Sequence, residues 1–146
     1  MLQRARAFDV RPQLPVYPSA AVVLLGDVLG LLLFIVWGLY THQIPAWEMP
    51  AHTLMTLTPF LAAWLLLAPL FGLYHRRTLR SYTRTLALLV PGWVAISVVG
   101  GLIRSTQFFS GGTGLIFVLV NVAFGLLILT PWRLGVVAVL RRWFPE

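Results

Sequence analysis

Apolar positions in this chain gather into four long runs, separated by short stretches rich in proline, glycine and arginine. The runs cover residues 19–41, 53–74, 83–105 and 114–132, the last continuing over 134–140 after Pro131. A helix crosses a bilayer core with roughly 20 residues at about 1.5 Å each. Each run meets that length. The pattern predicts an all-α, polytopic integral membrane protein built as a four-transmembrane-helix bundle. Residues 1–18 read as an N-terminal segment, 19–140 as a single transmembrane domain and 141–146 as a tail.

Proline marks the edges of this plan. Pro12, Pro15 and Pro18 discourage a helix ahead of the first run. A secretory signal has an apolar core of about 7–15 residues and then a small-residue cleavage site. The first run is longer and ends in Trp37, Tyr40 and His42, so it reads as a retained helix. Pro59 and Pro69 predict kinks in the second run. Membrane helices tolerate them when hydroxyls re-satisfy the freed carbonyls, and Thr56 and Thr58 stand beside the first.

Composition sharpens the class. Hydrophobic residues make up 59% and charged residues 10%, against about 25% charged in soluble domains. So much apolar surface needs lipid as its solvent. The chain has no cysteine, which excludes disulfides, thiolate metal sites and cysteine nucleophiles.

The formal net charge is +7, and every basic residue is Arg. Arginines gather at helix ends, which points to membrane orientation and not to a nucleic-acid partner. With alternating helices, Arg4, Arg6, Arg11, Arg76, Arg77, Arg80, Arg84, Arg133, Arg141 and Arg142 share one side, and Arg104 stands at the other. The positive-inside rule then places both termini in the cytoplasm. Arg76, Arg77, Arg80 and Arg84 recur at helical spacing, as one stripe on a helix entering the membrane. With Arg141 and Arg142 they suit anionic lipid head groups, at about 1 kcal/mol per basic residue.

Asp27 is the first candidate for chemistry. An acid within an apolar run is a functional hypothesis by default, here a proton or cation site. The competing reading is a hydrogen-bonded structural acid facing the bundle interior, neutral because no basic residue lies at its depth. Arg104 reads as snorkelling to head groups, or as an anion contact, and stands too far from Asp27 to pair. Asn121 suits an interhelical contact to Asp27, Thr56 or Ser97. Gly26, Gly30 and Gly38 in the first run, Gly101 in the third and Gly125 in the fourth predict close helix packing. His42 and His52, ten positions apart in a loop, have no metal or haem spacing. No nucleophile stands with a base, so no catalytic residue, metal or cofactor is assigned.

Several short pieces carry a resemblance. They are Gly26-Asp27 with Phe34, Gly38 and His42; Pro59-Phe60 with Trp64; Gly100-Gly101-Leu-Ile-Arg104; residues 117–120; and Trp132-Arg133. Over about residues 21–133 the chain resembles a family of small prokaryotic four-helix membrane proteins that carries only a domain-of-unknown-function label. Members often have Trp directly before the Pro-Phe pair, where this chain has Thr58. The resemblance implies the fold and the cytoplasmic (inner) membrane of a prokaryote, and implies no activity.

Two functions follow as expectations. One is a non-enzymatic structural or accessory component of the membrane or of a larger membrane complex, possible also as a homo-oligomer. The other is an oligomeric ion- or proton-coupled small transporter or channel using Asp27.

Overall fold

The computed structural model describes residues 18–109 and 112–144. Residues 1–17, with Arg4, Arg6 and Arg11, lie outside the described residues, as do Ser110, Gly111, Pro145 and Glu146. The described residues form helices and connections without strands: α1 (Pro18–Thr41), α2 (Pro50–Leu70), α3 (Arg76–Leu79), α4 (Tyr82–Arg104) and α5 (Leu115–Trp143). All but α3 are long and apolar enough to cross a membrane. They pack as a ring in which α1 touches α2 and α5, and α4 touches α2 and α5. Alternating helix directions give this ring two ends. One carries the α2–α4 connection with α3, the N-terminus of α1 and the C-terminus of α5; the other carries the α1–α2 and α4–α5 loops.

Large apolar side chains face both ways. Leu31, Phe60, Trp64, Leu89, Trp93, Ile96 and Leu129 fill the interior, while Leu25, Leu29, Leu66, Leu119 and Leu127 are exposed. Helices apolar on all sides suit a lipid surround. The fold is that of a multi-pass membrane protein.

Local chemistry sets the element ends. Pro50 opens α2 as its first residue, where a missing N–H costs nothing. The helix ends four residues before the apolar run does, at Leu70. There the Gly72 N–H donates to the Pro69 carbonyl at 2.9 Å and the Leu73 N–H to that of Ala68 at 3.1 Å. This is a Schellman turn, and it needs the left-handed backbone of Gly72, φ 71°. Leu73 then turns back into the core, fully buried.

The arginine stripe does not form one continuous helical face. His75 caps α3, its Nδ1 accepting from the Arg77 N–H. Ser81 caps α4, its hydroxyl accepting from the Arg84 N–H. Two polar caps six residues apart divide the stripe, and Arg80 falls in the break between helices.

At the other boundary, α5 runs through Pro131 to Trp143 without interruption. Arg141 and Arg142 therefore belong to its last turn and not to a tail, and Arg133 lies well inside the helix. In α2, Thr56 and Thr58 donate to the carbonyls of His52 and Leu54 at 2.9 and 2.6 Å, just ahead of Pro59.

Several of the glycines are tightly approached, and by side chains. A Cβ on Gly26 would come within 1.9 Å of the Trp132 ring, and one on Gly125 within 2.3 Å of Trp93. Gly101 faces Thr113, and Gly30 meets Leu129 at ordinary contact distance. Gly38 packs against nothing within 4 Å, which corrects its assignment as a packing residue. Gly26, Gly100 and Gly125 act as sockets for the rings of Trp132, Phe60 and Trp93. Trp93 seated on Gly125 lies 5.9 Å from Trp64 and 6.4 Å, edge-on, from Phe34.

Candidate functional site

Asp27 faces the interior of the ring and is fully buried. Its carboxylate meets three side chains from two other parts of the fold. Arg133 of α5 grips it side-on: Nε donates to Oδ1 at 2.9 Å and Nη2 to Oδ2 at 2.6 Å. Trp132 Nε1 donates to Oδ1 at 3.1 Å, and the Tyr74 hydroxyl donates to Oδ2 at 2.5 Å. A carboxylate offers about four lone-pair positions, and these four bonds occupy them.

The surrounding shell completes the other partners. Arg133, only 1% exposed, sends Nη1 to the Leu73 carbonyl at 2.7 Å. Its guanidinium lies over the rings of Tyr74 and Trp64, at 4.9 and 5.7 Å, a cation–π arrangement that offsets part of its desolvation. Trp64 Nε1 donates to the Tyr74 oxygen at 2.8 Å, which leaves the phenolic proton for Asp27. Burial, and then the neighbouring carboxylate, push the Tyr74 hydroxyl well above its ordinary range, so it remains a donor.

The backbone explains how a loop residue reaches this depth. The Schellman turn at Gly72 reverses the chain and directs both the Leu73 carbonyl and Tyr74 under the ring. The site thus ties α1, the α2–α3 turn and α5 together near one end of the molecule. Such an arrangement holds helices in register. With every acceptor position engaged, it has no vacant one for a passing cation.

The expectation that Asp27 reaches a polar group on another helix holds. The expectation that no basic residue shares its depth is wrong. The charge pattern groups Arg133 with Arg141 and Arg142 at the end of the fourth run, which leaves it at the membrane edge. With α5 continuing to Trp143, Arg133 stands about 15 Å from that end, much as Asp27 stands about 14 Å from the start of α1. The signal was in the sequence: an acid and an arginine equidistant from the same end of two antiparallel apolar segments.

Tyr74, Trp64 and Trp132 were also missed as site residues. Trp64 and Trp132 lie inside apolar helices, where a core reading suffices, and Tyr74 stands just past α2, where only the turn geometry shows its direction. The remaining candidates lie elsewhere. Asn121 Nδ2 donates to the Ser97 hydroxyl at 2.9 Å, the interhelical contact expected. Arg104 makes no pair with Asp27 and lies over the Phe117 ring at 5.4 Å. Arg76 and Arg77 are exposed, Arg80 donates to the Phe144 carbonyl, Arg84 to the Thr78 hydroxyl, and Arg141 covers Tyr82.

No curated protein and no solved structure matches the chain. A family model described as "Protein of unknown function (DUF3054)" matches residues 24–136.

Proposed function

The chain belongs to this uncharacterised family, which assigns it no activity, and on that premise we propose that it is a non-enzymatic structural or accessory component of a membrane or of a larger membrane complex. One observation carries the reading: the buried acid is fully engaged by three side chains fixed on two other parts of the fold, α5 and the α2–α3 turn. A proton or cation carrier needs a carboxylate that can exchange its ligand. Here exchange would break a two-pronged Arg pair and strand the guanidinium in an apolar interior.

In this reading the membrane is the cytoplasmic membrane of a prokaryote, and both termini face the cytoplasm. The arginines of the α3 region and Arg141 and Arg142 then lie at the inner surface, where anionic lipid is their partner. Arg133 leaves the set that argues for orientation, and the bias survives its loss.

Purified protein in sealed phosphatidylcholine vesicles tests the reading. Under an imposed pH gradient, with sodium or potassium present, proton and cation flux should equal that of protein-free vesicles. A gradient-driven flux above that level would support the transporter using Asp27 and overturn the accessory role.

A further inference from the structure

At the end of the ring away from Asp27, α1 and α5 line a partly open cavity of about 520 Å³ with α2 and Arg104 of α4. Its walls are largely apolar, with Phe34, Phe124 and Ile128 among them. That volume lies within the range of about 300–1,000 Å³ typical of small-molecule sites. Two residues of the wall each carry one enclosed polar atom without a hydrogen-bond partner. Asn121 is 2% exposed, and its Oδ1 accepts no hydrogen bond although its Nδ2 is held by Ser97. Arg104 is half-buried, and its Nε is enclosed without an acceptor. Asp27 is committed to Arg133, so Arg104 has no buried carboxylate to meet.

The two groups ask for opposite chemistry. Asn121 Oδ1 needs a donor, and a buried carbonyl left without one is destabilising. Arg104 Nε needs an acceptor, preferably an anion, because an enclosed N–H of a charged group left unbonded is costly. Their spacing is set by α5. Arg104 lies on Phe117, and Asn121 follows Phe117 by four residues, about 6 Å deeper along the helix. His42 and His52 also line the cavity.

We propose that this cavity binds a single-chain anionic amphiphile that carries a hydroxyl near its head group. The anion meets Arg104, the hydroxyl donates to Asn121 Oδ1, and the chain lies along the apolar wall of α1 and α5. Asn121 keeps its own contact to Ser97, and because Asn121 Oδ1 and Arg104 Nε are each closed off from a water-sized molecule, side chains of the wall shift as the ligand enters.

The test is calorimetric titration of the protein in phosphatidylcholine nanodiscs, with empty nanodiscs as the reference for partitioning. The probe is 3-hydroxydodecanoate, compared with dodecanoate and with neutral 1,3-dodecanediol. Two variants separate the terms. Arg104→Met removes the cation. Gly38→Phe places a ring at a wall position where an added Cβ meets nothing within 4 Å, and unchanged helical content and thermal midpoint establish that the fold is kept.

The expected result is saturable binding of 3-hydroxydodecanoate beyond partitioning. The other two probes should bind more weakly. Arg104→Met should weaken the hydroxy acid about tenfold, the size of one charge-assisted hydrogen bond, and leave the diol unchanged. Gly38→Phe should abolish saturable binding. The proposal is overturned by partitioning alone, by binding that survives Gly38→Phe, by indifference to Arg104, or by equal affinity for the acid without the hydroxyl.

Discussion

Asp27 and Arg133 show what one residue type can and cannot reveal. A lone acid in an apolar run says that something must answer it, and the interior position follows from that need. Which group answers depends on the other helices. The neutral-acid reading makes Asp27→Asn silent. With Arg133 opposite, Asn would leave a buried guanidinium without its counter-charge, and the substitution is no longer conservative. Tyr74 supplies a pH signature. Its folded pKa is raised above the unfolded 10.0, so the unfolded chain releases the proton first as pH rises. Its contribution to stability is complete below pH 10 and is lost above it. Unfolding measured from about pH 8 to 12 should show a steeper alkaline decline for the wild type than for Tyr74→Phe, since the ordinary tyrosine pKa lies inside that window. Equal slopes would contradict the buried donor role.

Among the elements, hydropathy locates the long helices, while the charge pattern puts Arg133 beyond a helix that in fact continues to Trp143. Length and apolar character decide whether a segment crosses lipid, so those helices were legible. The stop at Leu70 was not, because it is written in a single glycine conformation at Gly72 within an apolar stretch. The break after α3 was hidden for a similar reason: His75 and Ser81 act as caps through local side-chain bonds that a charge stripe overlooks. Glycine spacing gave the right helices and the wrong partner, since a spacing of four does not say whether a backbone or a ring fills the gap. Two substitutions on α1 separate these uses. Gly26→Ala drives a methyl into the Trp132 ring and should cost about 1–3 kcal/mol as overpacking. Gly38→Ala meets nothing and should be neutral or stabilising by up to about 1 kcal/mol through helix propensity. Denaturant unfolding in mixed micelles checks both, and equal effects would contradict the socket assignment.

For the whole molecule, the ring closes where the first and last long helices meet, and the Asp27–Arg133 pair with Tyr74 fastens that closure at one end. The proposed orientation rests on charge at the boundaries. The chain lacks cysteine, so single cysteines at positions 46 and 78 report on opposite ends. An impermeant thiol reagent applied to intact cells should label 46 and not 78; the reverse pattern would invert the topology. The central claim is that the buried pair is a clamp, and a double-mutant cycle on global unfolding in lipid–detergent micelles tests it most directly. Asp27→Leu and Arg133→Met should each cost about 3–5 kcal/mol, because each leaves the other charge buried and unpaired. The double variant should cost no more than either single one. Additive losses, with the double variant falling by the sum of the two, would contradict the clamp.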